Sequence, residues 1–210
     1  MNDAPATVAR RYALSFTTGV LLAREAALLA PVYVACRDWE QVRDLAVDDN
    51  FLQARTYRTG VRLVRETVKR LSALSDGEVE LLVEATASER QYLMWAAACR
   101  CYEFIGEFAE EVLRERFLLF APTLDYQDFD SFVRGKALWH EELTDIKHST
   151  LQKLRSNVFK MLQEAELRSK AGQILPAMLS ERVVSVLSAH ASSDLRFFPT
   201  QQGIGPGAER

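Results

Sequence analysis

Ser88-Glu-Arg-Gln91-Tyr-Leu-Met-Trp95-Ala-Ala-Ala-Cys99-Arg-Cys-Tyr102-Glu-Phe-Ile-Gly-Glu107-Phe-Ala-Glu-Glu-Val112-Leu-Arg-Glu-Arg-Phe-Leu118 is too apolar to lie on a protein surface. Ser88 and Gln91 have capping-box spacing, which predicts a helix start. Tyr92, Trp95, Cys99, Tyr102, Ala109 and Val112 keep near-heptad spacing, while Leu93, Met94, Phe104, Ile105, Phe108 and Leu113 widen the apolar arc. Arg100, Glu103, Glu107, Glu110, Glu111 and Arg114 form the one polar strip. A helix apolar over most of its circumference must be covered by others, so the stretch predicts the central mast of a helical bundle. Its aromatics read as core rather than as a cofactor box.

Outward from the mast, the 210 residues suffice to bury a core without staples. With 48% hydrophobic and 26% charged residues, and few Gly or Pro, the expected class is all-α or mainly α. Cys36, Cys99 and Cys101 are odd in number, lie in helical patterns and follow no secretory segment, so reduced thiols and a cytoplasmic location are expected. The formal charge of -3 hides a segregation. Residues 10–70 carry 11 Lys+Arg against 7 Asp+Glu, net +4, whereas 76–118 carry 4 against 10, net -6. A polyanion feels the nearest face, so the local excess matters more than the sum.

Four regions are expected: a flexible lead over 1–11, an N-terminal helical region with the central helix over 12–121, a C-terminal helical region over 122–199, and a flexible tail over 200–210. Hydroxyls in Tyr12 to Gly19 offer caps to a helix over about Val20 to Cys36. Its uncharged run, Ala26 to Cys36, is shorter than the about 20 residues a bilayer needs, so no membrane association is expected. Asp38 opens a short helix with Trp39, Val42, Leu45 and Ala46 inward. Phe51 to Leu74 follows, with Tyr57, Val61, Val64, Val68 and Leu71 as core stripe. Ser75 and Glu78 repeat the capping box. Tyr126 to Leu143 brings Phe129, Phe132, Val133, Trp139 and Leu143 inward, and Thr150 to Ala165 carries Leu151, Leu154 and Val158. Arg168 to Ile174 suggests a small wing-like hairpin, Ser180 opens a last helix, and Leu195 to Pro199 reads as a docked extended segment.

The chemistry-bearing pattern is a second stripe beside the core stripe of 51–74. Arg55, Arg58, Arg62, Arg65 and Lys69 are spaced by three, four, three and four, which aligns them on one face of a continuous helix. Thr59-Gly60 leaves open a helix-turn-helix, with Thr59 capping a recognition helix that presents Arg62, Arg65 and Lys69. Lys147, Thr150, Lys153, Asn157 and Lys160, with Arg155 nearby, mark a second basic surface. Asp125, Asp128 and Asp130 suit a helix first turn without any metal. His140-Glu141-Glu142-Leu143 begins like a zinc-protease motif, but the second histidine would fall at Thr144. No nucleophile with a positioned base, phosphate loop or ligand cluster is visible, so no catalytic residue, metal or cofactor is expected.

Several dispersed segments taken together resemble a known family: Tyr12-x-x-Ser15-Phe-Thr-Thr-Gly19, Trp39, Asn50-Phe-Leu-Gln-Ala-Arg55-Thr, Arg70-Leu71-x-x-Leu74 and Trp95-x-x-x-Cys99-Arg100-x-Tyr102. Further along are Glu111-Val112, Asp128-Phe129-x-x-Phe132, Lys136-x-x-Trp139-His140-x-Glu142-Leu143 and Thr150-x-x-Lys153-Leu154-Arg155. This set is similar to BrxA, a family of small accessory components of bacterial BREX phage-defence systems. The resemblance implies a cytoplasmic, mainly helical, non-enzymatic, NusB-like protein that binds nucleic acid and acts beside other BREX proteins. At Glu166 the chain departs from the family, which often has glycine ending that helix.

The leading expectation is therefore a DNA-binding accessory protein of antiviral defence. Arg55, Arg58, Arg62, Arg65 and Lys69, then Lys147, Lys153, Arg155 and Lys160, would contact the phosphates of double-stranded DNA, or RNA. The alternative is a scaffold for other defence subunits, with Glu103, Glu107, Glu110 and Glu111 as its docking strip. Oligomeric state is open.

Overall fold

A computed structural model describes residues 11–16, 20–189 and 193–201. The expected lead through residue 10, the caps Thr17 to Gly19 and the tail beyond 201 lie outside the described residues. In chain order the helices are α1 (Ala23–Cys36), α2 (Trp39–Asp48), α3 (Tyr57–Leu71), α4 (Asp76–Glu84), α5 (Ala87–Cys101), α6 (Glu103–Phe108) and α7 (Glu115–Leu118). Then come α8 (Tyr126–Lys136), α9 (Glu141–Thr144), α10 (His148–Glu164) and α11 (Glu181–Ser188). Six π-helical residues, Ala109–Arg114, join α6 to α7, and a 3-10 turn, Asp194–Phe197, follows α11.

The mast forms, but its start and its continuity differ from the sequence expectation. Thr86 caps α5 rather than Ser88, its hydroxyl accepting from Glu89 N at 3.3 Å while the Glu89 carboxylate accepts from Thr86 N at 2.8 Å. A carboxylate suits the helix N-terminus better than the Gln91 amide. Glu89 is also held by the Ser180 hydroxyl at 2.6 Å and the Arg182 guanidinium at 2.7 Å. Leu93 through Ala98 are fully buried on every side. The covering helices are α1, α3, α4, α10 and α11, so α5 is the axis of a mainly helical fold. Each large apolar side chain enclosed there contributes about 1.5–3 kcal/mol.

At Tyr102 the mast breaks, with φ -131 and ψ 94. Its hydroxyl donates to both oxygens of Glu66, at 2.8 and 2.9 Å, and its ring meets Phe16 edge-on. The bend packs α6 tightly on the end of α5. A Cβ at Gly106 would stand 3.0 Å from the Cys99 carbonyl oxygen, so glycine here permits the close approach.

Around the mast other expectations shift. Phe51–Leu74 shortens to α3, which Thr56 caps by accepting from Thr59 N at 3.3 Å; residues 51–56 lie outside the helix. The helix runs unbroken through Thr59 and Gly60, so no helix-turn-helix forms there. The helix expected over Tyr126–Leu143 stops at Lys136, and Trp139 in the turn after it is 74% exposed while His140 takes the inward place. Leu45 and Tyr57 are likewise exposed, not core.

Among the described residues, 168–176 forms no strand, only the isolated bridges Arg168 to Ile174 and Thr123 to Gln173. Leu124 N donates to Gly172 O, and Ile174 N to Pro122 O, both at 2.9 Å. The segment is thus stitched inward instead of projecting as a wing. Leu195–Pro199 docks, but through the 3-10 turn, with Phe197 and Phe198 buried and the Trp95 indole donating to Phe197 O at 2.9 Å. No helix among the described residues is long and apolar enough to cross a membrane.

Of the residues before α1, Tyr12 and Phe16 bond to α9 and α10, and Val20 and Leu21 bond to α3 and α10. Arg70, fully buried, donates to Val20 O at 2.8 Å and Leu21 O at 3.2 Å while pairing with Glu66 at 2.8 Å. From the other side Asn157 donates to Phe16 O at 3.0 Å, and Glu164 accepts from Leu21 N at 2.5 Å. Tyr12 N donates to Glu142 at 2.5 Å, and His140 stacks on the Tyr12 ring at 3.7 Å.

Candidate nucleic-acid interface

α3 sorts its side chains by period. Val64, Thr67, Val68 and Leu71 go inward against α1, α2 and α5, and the opposite face carries the basic residues. Arg58, Arg62, Arg65 and Lys69 are all exposed on α3 itself. Arg55 is exposed too, but sits in the turn before the Thr56 cap, off the helix. That turn is shaped by Asn50, whose side chain accepts from Ala54 N at 2.9 Å. Lys69 places its ammonium 4.2 Å from the Tyr102 ring centre.

No described carboxylate lies within 4.0 Å of the charged atoms of Arg55, Arg58, Arg62, Arg65 or Lys69. Arg37, Arg70, Arg100, Arg116, Arg155, Arg182 and Arg196 each meet one, whereas Arg24, Arg43, Arg90, Arg114, Arg134 and Arg168 do not, so what distinguishes α3 is the alignment of its unpaired cations on one face. Three neighbouring pairs on α3 are like-charged at helical contact spacing, Arg58–Arg62, Arg62–Arg65 and Arg65–Lys69. Such pairs cost a helix roughly 0.2–0.5 kcal/mol each. The first turn of α3 also holds no acid to complement its dipole.

The second basic surface divides. Lys147 and Lys153 are exposed and unpaired among the described residues, whereas Lys160 stands 3.9 Å from Glu164. Arg155 pairs with Asp130 at 2.8 Å and lies 4.4 Å from the Tyr126 ring centre. Asn157 holds the segment before α1. Only part of α10 is therefore open to an anion.

The acidic residues are more fully used. Lys136 bridges Glu107 and Glu111, the Tyr12 hydroxyl donates to Glu107, and Glu110 stands 3.5 Å from Arg196. Asp125 and Asp128 build the capping box of α8, and Asp128 and Asp130 pair with Arg116 and Arg155. His140 is buried with Nδ1 3.3 Å from Glu142. Burial pushes Tyr12 and Tyr102 upward, as do their carboxylate partners, and both stay neutral hydrogen-bond donors. Cys36, Cys99 and Cys101 are free thiols, with burial raising Cys99 well above its ordinary range and Cys101 more modestly. No group of three or more His, Cys, Asp or Glu is placed to hold a metal among the described residues.

Tyr57 is the residue the sequence misplaces. Along the α3 stripe burial falls from Val64 at 1% exposure through half-buried Val61 to Tyr57 at 77%. α2 and α3 splay there, leaving a cleft of about 380 Å³ that periodicity does not reveal.

These features define a mainly helical protein with an unneutralised basic helix face. Its sequence matches the family model described as BrxA over residues 10–191, and the chain belongs to the BrxA family. It is 26% identical over 147 residues to "BREX protein BrxA" of Escherichia coli O9:H4 (strain HS), covering 70% of this chain and 69% of that protein. A crystal structure of an uncharacterized protein from Magnetospirillum magneticum superposes with a TM-score of 0.77, over 90% of this chain and 100% of that one. At 22% identity that likeness is one of fold.

Proposed function

We propose that this protein is a non-enzymatic, nucleic-acid-binding accessory component of a BREX-type phage-defence system, working in the cytoplasm beside other BREX proteins. The defence role follows from the family and from the name of its Escherichia coli relative. One observation carries the binding role: Arg58, Arg62, Arg65 and Lys69 share an exposed face on which no described carboxylate neutralises them. A face of mutually repelling cations is relieved by a polyanion. Phosphate contacts release condensed counterions, and they hold the protein on the backbone without reading sequence. Arg55 at the entrance of α3, Lys147 at the N-cap of α10 and Lys153 on α10 are further cations for phosphate contact. Arg155 and Lys160, each beside a carboxylate, contribute less.

Fluorescence anisotropy with a short duplex across a salt series tests this reading. The wild type is expected to bind with a linear fall of log affinity against log salt, and Arg62→Glu/Arg65→Glu/Lys69→Glu to lose both affinity and slope with helicity unchanged. Equal binding by the two proteins would sink it.

A second reading, a scaffold for larger defence subunits, has its own observation. Leu138 and Trp139 stand 78% and 74% exposed beside Lys136, as an apolar pair on the rim of the mast. The acidic strip once expected to dock partners supports it less, because three of its four carboxylates are engaged within the chain.

A further inference from the structure

We infer that the cleft between α2 and α3 receives an unpaired nucleobase, stacked on Tyr57, while the adjoining stripe of α3 holds the strand's phosphates. The inference deepens the nucleic-acid reading and rests on it. Tyr57 opens α3 directly after the Thr56 cap and is 77% exposed, and its hydroxyl has no hydrogen-bond partner among the described residues. Exposed aromatics are ordinary when scattered singly; this one borders two adjoining hollows of about 380 and 330 Å³. The first is within the range of small-molecule sites. Both have an apolar floor of Val47, Val61 and Val64.

The charges around the cleft decide what can enter. On one side Arg65 belongs both to the cleft wall and to the basic stripe, so a strand held on the stripe passes the mouth. On the other, α2 contributes Glu40, Asp44 and Asp48 with one cation, Arg43, and none of the four has an ion pair among the described residues. Three carboxylates against one arginine leave the α2 wall net acidic, which repels a phosphate but accepts hydrogen bonds from exocyclic amino groups, as acidic side chains do from cytosine N4. The apolar floor and the Tyr57 ring suit a flat aromatic ligand, since aromatic platforms bind bases of any sequence through their π faces. Phosphate outside and base inside is the arrangement of single-strand recognition, and it requires a base free of its duplex partner.

The test compares a 12-nucleotide single strand, the same strand carrying one abasic site, and the matching duplex. Each is titrated against the wild-type protein, Tyr57→Ala, Tyr57→Phe and Arg62→Glu/Arg65→Glu, with folding verified by circular dichroism. Tyr57→Ala is expected to weaken the intact single strand roughly tenfold, leave the duplex within about twofold, and abolish the preference for the intact strand over the abasic one. Tyr57→Phe keeps the ring and is expected to behave as the wild type. If Tyr57→Ala changes single strand and duplex alike, or changes neither, while the arginine variant loses both, the base-stacking role is overturned and the phosphate-binding face stands. If the arginine variant also binds as the wild type does, the nucleic-acid reading has failed and this inference with it.

Discussion

Arg100 shows how a charged residue on the mast becomes structural. Its guanidinium, 13% exposed, donates to both oxygens of Glu78 at 2.6 and 2.7 Å, to Asp194 at 2.5 Å and to Ala73 O at 2.9 Å, tying α4, α5 and the C-terminal turn together. Sequence periodicity assigns Arg100 to a solvated strip, because period cannot foresee that two carboxylates arrive from distant parts of the chain. Burial by itself would raise Glu78, but the hydrogen bonds from Arg100 and Ser75 outweigh it and hold the carboxyl below its ordinary 4.5. A depressed folded value means that the unfolded state takes up protons first, so this stabilisation is present above pH 4.5 and is lost as pH falls toward the folded value. Arg100→Met takes the guanidinium away from two buried carboxylates, Glu78 and Asp194, and is expected to cost about 3–5 kcal/mol in urea denaturation at neutral pH. The gap between variant and wild type is expected to narrow on acidification below pH 4.5, as protonated Glu78 ceases to need its partner; a gap that widens would contradict this account.

At the scale of elements, a start or an end was legible where a residue type or the apolar period marks it. Asp38, Ser75 and Ser180 each stand at the N-cap positions their residue types predict, and Thr86 replaces Ser88 by a shift of two residues. α1, α7 and α10 end at Cys36, Leu118 and Glu164, at or within one residue of the expected Cys36, Leu118 and Ala165. α2, α7 and α10 close in the same way, with the chain turned left-handed at Asn50, Phe120 and Glu166 and the next amide bonding back to Ala46, Arg116 and Leu162. That conformation favours glycine, then asparagine, so Asn50 marks the end of α2, whereas Phe120 and Glu166 carry neither residue. Glu166 has φ 56, at the position where the family resemblance would place glycine. A left-handed non-glycine residue costs roughly 1–2 kcal/mol, and glycine loses some of that gain through its freer unfolded chain. Glu166→Gly is therefore expected to stabilise the protein by about 0.5–1 kcal/mol, read as a higher urea midpoint at unchanged slope. A lower midpoint would show that Glu166 makes a contact worth more than the strain. Tyr57 was misread for a related reason: its spacing fits the core stripe, but no element covers the first turn of α3.

For the whole molecule, the segment before α1 sets how far the N- and C-terminal helical regions act together. It bonds to Arg70 on α3 and to Glu142, Asn157 and Glu164 beyond the mast, while α11 and the 3-10 turn pack back on α5. These ties predict one cooperative unfolding transition. Far-ultraviolet circular dichroism and the fluorescence of buried Trp95, followed in a Trp39→Phe/Trp139→Phe background, are expected to give coincident urea curves. Separate midpoints would mean that residues 122–199 unfold on their own.

Composition and helical period by themselves determined a mainly helical fold around an apolar mast, and the alignment of Arg58, Arg62, Arg65 and Lys69 on one face, because both follow from local residue spacing. The break at Tyr102, the inward stitching of 168–176 and the burial of Arg70 and Arg100 were decided only by tertiary structure. So was the difference between α3 and α10: both present basic stripes in sequence, but only long-range folding brings Asp130 to Arg155 while leaving the α3 stripe with no described carboxylate within 4.0 Å. Charge neutralisation depends on distances across the chain, and spacing along it does not encode those distances.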